Sequence, residues 1–249
     1  MALFGRKKVA PPEGPGGPSS LEQKNHPGHQ AVLRHLDQQE QADPGVRERL
    51  AGAVVFDLAY QILENDRGVQ IETLIAVLAS VGGQQCIAPI LEAAPNDATM
   101  EQLGLTVVKG NDGRLYFFGD APNRLLVESP DSLISLAFGA AHALGAPVTM
   151  EMIREEMGRV ASRVGGAEFE RLDLPARHMV DRPSEWARVF GPRLVEALDL
   201  YDVPPLRRAT ALGYALQKAI DAGRQSLDPL IAARIALQCA TRTAKVLIG

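Results

Sequence analysis

The sequence predicts a mainly α fold: a single helical domain of about seven or eight helices, residues 46–249, with a small inserted three-stranded antiparallel β-meander. Apolar residues recur every three or four positions over most of this range, a spacing that places them on one face of a helix. Between residues 105 and 127 the pattern changes to short β-prone segments. A composition of 46% hydrophobic and 22% charged residues is typical of a globular domain.

Residues 1–45 are predicted to form a disordered or weakly ordered tail. Residues 9–20 are rich in proline and glycine, which oppose both helix and sheet. The pattern of residues 21–41 permits a polar helix, although Pro27 and Gly28 would interrupt it. We therefore expect the folded domain to begin near Val46.

Three helical segments are predicted next. The first runs from Val46 to Glu64, where apolar residues recur at three and four. The second and third cover residues 71–81 and 86–91, and they are separated or kinked at the glycines 82–83. Both are apolar enough to lie at the centre of the domain.

The predicted meander consists of three short segments that favour β-structure: Leu105–Lys109, Arg114–Phe118 and Arg124–Val127. Residues 110–113 and 120–123 join them, and their glycine, asparagine, aspartate and proline residues suit tight turns. Such a small sheet needs to pack against the helices to be stable.

Helical patterning returns after residue 129, and it predicts helices over residues 130–144, 149–164, 185–198, 206–222 and 229–247. On the second of these, Glu155 and Arg159 have the spacing of an ion pair. Small residues occupy the packing faces of the last two, which predicts a close antiparallel pair. The long connection over residues 165–183 is either functional or disordered.

Charge and hydropathy exclude several protein classes. The net charge is −4, so the chain lacks the excess of basic residues that phosphate neutralisation requires, and we expect no nucleic-acid partner. The most apolar interior stretch, Leu133–Leu144, is too short to cross a bilayer, so we expect no transmembrane segment. Cys86 and Cys239 fall in apolar helical patterns, which disfavours a structural disulfide. These features predict a cytoplasmic protein.

Residues 1–8 offer weak peripheral contact with a membrane as a disfavoured alternative. Arg6, Lys7 and Lys8 follow Leu3 and Phe4, and an anionic surface would attract the three charges by only about 1 kcal/mol each. The segment has the features of neither a signal peptide nor a myristoylation site.

Sequence motifs for nucleotide binding, zinc proteolysis and serine hydrolysis are absent, which makes an enzyme the less favoured class. We predict no catalytic residue, no cofactor and no metal. His26, His29 and His35 have a spacing that permits zinc binding, but no cysteine or acidic ligand at fixed spacing completes the set, so a solvated polar tail is favoured.

A hypothetical ligand site combines His142, Cys86, Tyr116, Asp120 and Arg124. His142 is the titratable group in an apolar helix and Cys86 is a potential nucleophile, whereas Asp120 and Arg124 carry opposite charges near a turn. The alternatives are structural: a hydrogen-bonded core histidine, a buried inert thiol and ordinary turn chemistry.

A hypothetical partner site combines Trp186 with Arg182 and Arg188. An indole flanked by arginines is a common anchor in protein interfaces, and Trp186 is the sole tryptophan. The alternative is that this ring fills the core.

Four segments resemble an uncharacterised bacterial protein family: Phe118–Asp120, Ser135–Ala146, Ala219–Gly223 and Asp228–Cys239. The likeness covers most of residues 65–248. It implies a bacterial source and a single co-folded unit, and it implies no activity and no site residue.

From these observations we predict a non-enzymatic interaction or scaffold protein that self-associates as a homo-oligomer, because small-residue helix faces and missing chemical motifs fit that class. The alternative is a small-molecule binding protein or enzyme with a pocket between the β-meander and the helix that carries His142.

Overall fold

The computed structural model of the protein describes residues 24–248. Within this range the fold is mainly helical, as predicted, and contains eight helices of 11 or more residues. They are α1 (Pro27–Gln39), α2 (Val46–Leu63), α3 (Ile71–Gln84), α4 (Leu133–Ala143), α5 (Met150–Ser162), α6 (Pro183–Leu200), α7 (Arg208–Gly223) and α8 (Pro229–Thr243). A two-stranded antiparallel sheet, β1 (Thr106–Lys109) and β2 (Leu115–Phe118), follows the short helix Ala88–Glu92.

Helix starts follow local capping chemistry. The Thr149 hydroxyl accepts a hydrogen bond from the Met152 backbone N–H, and the Asp228 carboxylate accepts one from the Leu230 N–H. Pro229 follows Asp228 at the first helical position, where a missing N–H costs nothing. These caps explain why α5 and α8 begin where the sequence predicts.

Helix α3 is the centre of the core. Every residue from Leu74 to Gly83 is buried, and α6, α7 and α8 pack around it. A Cβ atom on Gly83 would lie 2.2 Å from the Ala240 carbonyl oxygen, so only glycine permits this approach of α3 and α8. Helices α7 and α8 make few contacts with each other and do not form the expected pair, because α7 packs against α2, α4 and α3, whereas α8 packs mainly against α3.

The predicted three-stranded meander is wrong in its third strand. Residues 106–109 pair with 115–118, but residues 120–123 are a helical turn and Arg124–Glu128 form one π-helical turn. Leucines in this segment are good helix formers, and Leu126 is completely buried in the main core, so tertiary packing outweighs the β preference. A bridge from Val246 to Tyr116 extends the sheet instead.

The described chain begins before the expected start of the domain. Pro27 is the first residue of α1 and does not interrupt it, and the His26 ring nitrogen Nδ1 accepts a hydrogen bond from the Gly28 N–H at 3.2 Å. Leu33 and Leu36 bury the inner face of this helix. The predictions of a disordered tail over residues 1–23 and of membrane contact by residues 1–8 lie outside the described residues.

One stretch of the described chain, Ile71–Glu92, is long and apolar enough to cross a membrane. It differs from Leu133–Leu144, which the sequence singled out. In the structure, 78% of its most apolar window is buried inside the protein. The position of this stretch in the core therefore accounts for its hydropathy.

Candidate functional sites

The residues of the hypothetical ligand site do not share one environment. Cys86 and Tyr116 are completely buried, whereas Asp120, Arg124 and His142 are exposed. None of these five side chains lines either of the two cavities described below.

Burial makes both Cys86 and Tyr116 poor reagents at neutral pH. It raises the pKa of the Cys86 thiol to about 12, and this thiol donates to the Gly82 carbonyl oxygen at 3.4 Å. Burial and a 2.7 Å hydrogen bond to Asp112 raise the pKa of Tyr116 to about 12. The Tyr116 ring meets Phe169 edge to face at 4.8 Å, so it joins the sheet to the loop after α5.

The hypothetical partner site is only partly at the surface. Trp186 is half-buried against the main core, with its ring 5.7 Å from that of Phe190. Arg182 and Arg188 are exposed, and Arg188 donates to Glu185 at 2.6 Å. The indole therefore contributes to packing.

The three N-terminal histidines have separate contacts. His26 caps α1, and the His29 Nε2 atom lies 2.6 Å from the Leu200 carbonyl oxygen. His35 is exposed and lines a groove. Across residues 24–248, no three histidine, cysteine or acidic side chains are grouped so that they could hold a metal ion.

An apolar groove of about 480 Å³ lies between α1 and α2. Leu36 forms its buried floor, while Val32 and Leu50 stand at its edges, 41% and 38% exposed. The complete lining is Ala31, Val32, His35, Leu36, Gln39, Val46 and Leu50. The sequence does not predict this groove, because it favours a weakly ordered tail up to residue 45, with at most an interrupted polar helix over residues 21–41. The aliphatic spacing of Val32, Leu33 and Leu36 was the available signal.

A smaller, polar cavity of about 110 Å³ lies between α5 and α8. Its lining is Met152, Glu155, Glu156, Arg159, Asp173, Arg234, Leu237 and Gln238. Gln238 connects α8 to the loop after α5: its side-chain oxygen accepts from the Asp173 N–H at 2.7 Å, and its amide nitrogen donates to the Asp173 carbonyl oxygen at 3.3 Å. This loop, which the sequence predicts to be either functional or disordered, therefore forms one wall of the cavity.

Arginines neutralise two acids of this cavity, the buried Glu156 and the exposed Asp173. Arg242 donates to one Glu156 oxygen, and the Arg159 Nε donates to the other at 3.1 Å. Arg163 donates to both Asp173 oxygens, at 2.9 and 3.3 Å. Burial opposes ionisation of Asp173, but the arginine contacts outweigh it and hold its pKa below the usual value.

Comparison with known proteins gives no further assignment. No protein-family model matches the chain, and none of the curated proteins or solved structures with which it was compared matches either. The apolar groove and the polar cavity are therefore the features of the described residues from which we infer a function.

Proposed function

We propose that the protein is a non-enzymatic interaction protein that self-associates, with Leu3 and Phe4 of one copy seated in the α1–α2 groove of a second copy. The observation that carries the proposal is the groove itself. It exposes the aliphatic side chains Val32 and Leu50 beside the buried side chain of Leu36, and an apolar groove of this kind suits an aromatic anchor.

The small-residue faces of α7 and α8 do not support self-association, because they are buried within one copy. Ala209, Gly213, Ala233 and Ala240 all lie in the core. A self-association surface therefore has to be sought elsewhere, and the α1–α2 groove presents exposed aliphatic side chains on two neighbouring helices.

The chain supplies a suitable occupant close to the groove. Among residues 1–23, Leu3 and Phe4 are the adjacent pair of large apolar side chains. The described part of the chain begins at Lys24, immediately before α1. The roughly 20 residues between Phe4 and Lys24 span up to about 70 Å when extended, which is enough to reach a second copy.

Reciprocal exchange strengthens weak individual contacts. Each copy has one groove and one apolar N-terminal segment, so two copies can engage twice. After the first segment binds, the second binds as an intramolecular step at a high effective concentration. Self-association then needs only a modest affinity from each groove.

Native mass spectrometry of the full chain over a concentration series tests the proposal. We expect a dimer, and we expect Phe4→Ser and Leu50→Glu each to raise its dissociation constant by at least about tenfold per groove, because each removes apolar contact. Met150→Glu is the matched control, since Met150 is 61% exposed on α5 and outside the groove.

Two outcomes would overturn the proposed exchange of N-terminal segments between two copies. A wild-type protein that stays monomeric at every concentration, with the groove protected by its own residues 1–8 in hydrogen exchange, would place the segment in cis. A dimer that persists in both groove variants would place the interface elsewhere. Circular dichroism of each variant confirms that the fold is retained.

A further inference from the structure

The lining of the polar cavity between α5 and α8 includes two charged side chains that pair with no residue in the described range 24–248. It shares no lining residue with the α1–α2 groove, so its role is independent of self-association. Inside it, Glu156 and Asp173 are each paired with arginines, and these acids are not free to receive a cation.

Two charged side chains in the lining lack such partners. Glu155, from α5, and Arg234, from α8, are exposed and make no hydrogen bond or ion pair with any described residue. The spacing of Glu155 and Arg159 suggested a pair, but the Arg159 Nε points to Glu156 at 3.1 Å and to Asp173 at 3.8 Å. The Glu155 carboxylate is therefore available to bind a ligand.

We propose that this cavity binds a small zwitterion, an α-amino acid of the size of glycine or alanine. Arg234 would receive its carboxylate, for which the guanidinium fork is suited, and Glu155 would receive its ammonium group. One free acid and one free base at a shared cavity match a ligand that carries both charges, and neither a simple anion nor a simple cation uses both.

The cavity restricts the size of the ligand. Its volume of about 110 Å³ is that of roughly four water molecules. Met152 and Leu237 add apolar lining, which suits a methyl group better than a polar side chain. A volume of this size leaves little room for the side chain of a larger amino acid.

Isothermal titration calorimetry of the full chain with L-alanine tests the proposal, with acetate and methylammonium as single-charge probes. We expect saturable binding of L-alanine and at least tenfold weaker binding of either probe, because each lacks one charge-assisted contact. Glu155→Gln and Arg234→Gln should each weaken L-alanine binding by at least tenfold. Both residues are exposed and unpaired, so the fold should be unaffected.

Glu151→Gln is the matched control, because Glu151 is an exposed acid on the same helix and pairs with Arg154 outside the cavity. It should leave the affinity unchanged. Absence of heat from L-alanine and glycine would overturn the proposal. So would equal affinity for acetate that depends on Arg234 alone, which would define an anion site.

Discussion

Arg242 and Glu156 form an ion pair inside the protein, with side chains that are 1% and 0% exposed. Arg242 also donates to the carbonyl oxygens of Gln238 and Arg171, at 2.8 and 2.7 Å. One guanidinium thus joins α8, α5 and the loop between α5 and α6. A buried pair gains stability only when both charges keep their hydrogen bonds, which makes this contact sensitive to loss of either partner.

Replacing Arg242 alone should therefore be costly. Arg242→Leu leaves the buried Glu156 carboxylate with Arg159 as its remaining partner, and we expect the free energy of unfolding to fall by about 3–5 kcal/mol. Urea denaturation followed by circular dichroism measures the change. The double variant Arg242→Leu/Glu156→Leu is the control, because it removes both charges, and it should recover most of the loss. An equal loss in both variants would show that packing dominates over charge.

The close approach of α3 and α8 gives a second prediction. The Cβ atom that Gly83→Ala adds would lie 2.2 Å from both the Ala240 carbonyl oxygen and the Thr243 hydroxyl, so we expect a loss of about 1–3 kcal/mol. Gly139→Ala is the matched control in α4, where nothing lies within 4 Å, and it should gain about 0.5–1 kcal/mol. Thermal unfolding of both variants measures these changes in stability. A Gly83→Ala protein as stable as the wild type would contradict the requirement for glycine where α3 meets α8.

Local patterns in the sequence predict much of the helical part of this fold. Asp228 followed by Pro229 marks the start of α8, and the three–four spacing after it marks the buried face, because both signals act within a few residues. The segment Arg124–Val127 shows the limit. Its short apolar pattern fits a strand as well as a helix, and burial of Leu126 against the main core decides the outcome.

The candidate sites are harder to predict from the sequence than the helices, because the residues of each site are far apart in the chain. Glu156 and Arg242 are separated by 86 positions, and no periodicity relates them. Arg159 pairs with Glu156 and not with Glu155, although the spacing along the helix permits either acid. Asp173 lies on the same side of Arg159 as Glu156, and this position follows from the packing of the loop and not from the sequence of the helix. The residue type makes His142 a candidate for the ligand site, whereas the structure places its side chain at the surface.

Lys245 gives a prediction that depends on pH. Its side chain is buried, its ammonium group donates to the Asn123 side-chain oxygen at 2.9 Å, and the Phe118 ring centre lies 5.2 Å away. Burial lowers the pKa of Lys245 from 10.5 to about 8. Between these values the unfolded chain holds a proton that the folded protein lacks, so stability from this group rises as pH increases from about 8 to 10.5.

Lys245→Met removes this titration while keeping a flexible apolar stem. Below pH 8 the variant avoids the cost of a buried charge, so its advantage in unfolding free energy over the wild type should be largest there. The difference between the two proteins should shrink by up to about 3 kcal/mol as pH rises to 10.5, since each pKa unit corresponds to about 1.4 kcal/mol. Urea denaturation at several pH values measures it. A difference independent of pH would mean that Lys245 stays charged in the folded protein, held by Asn123 and Phe118.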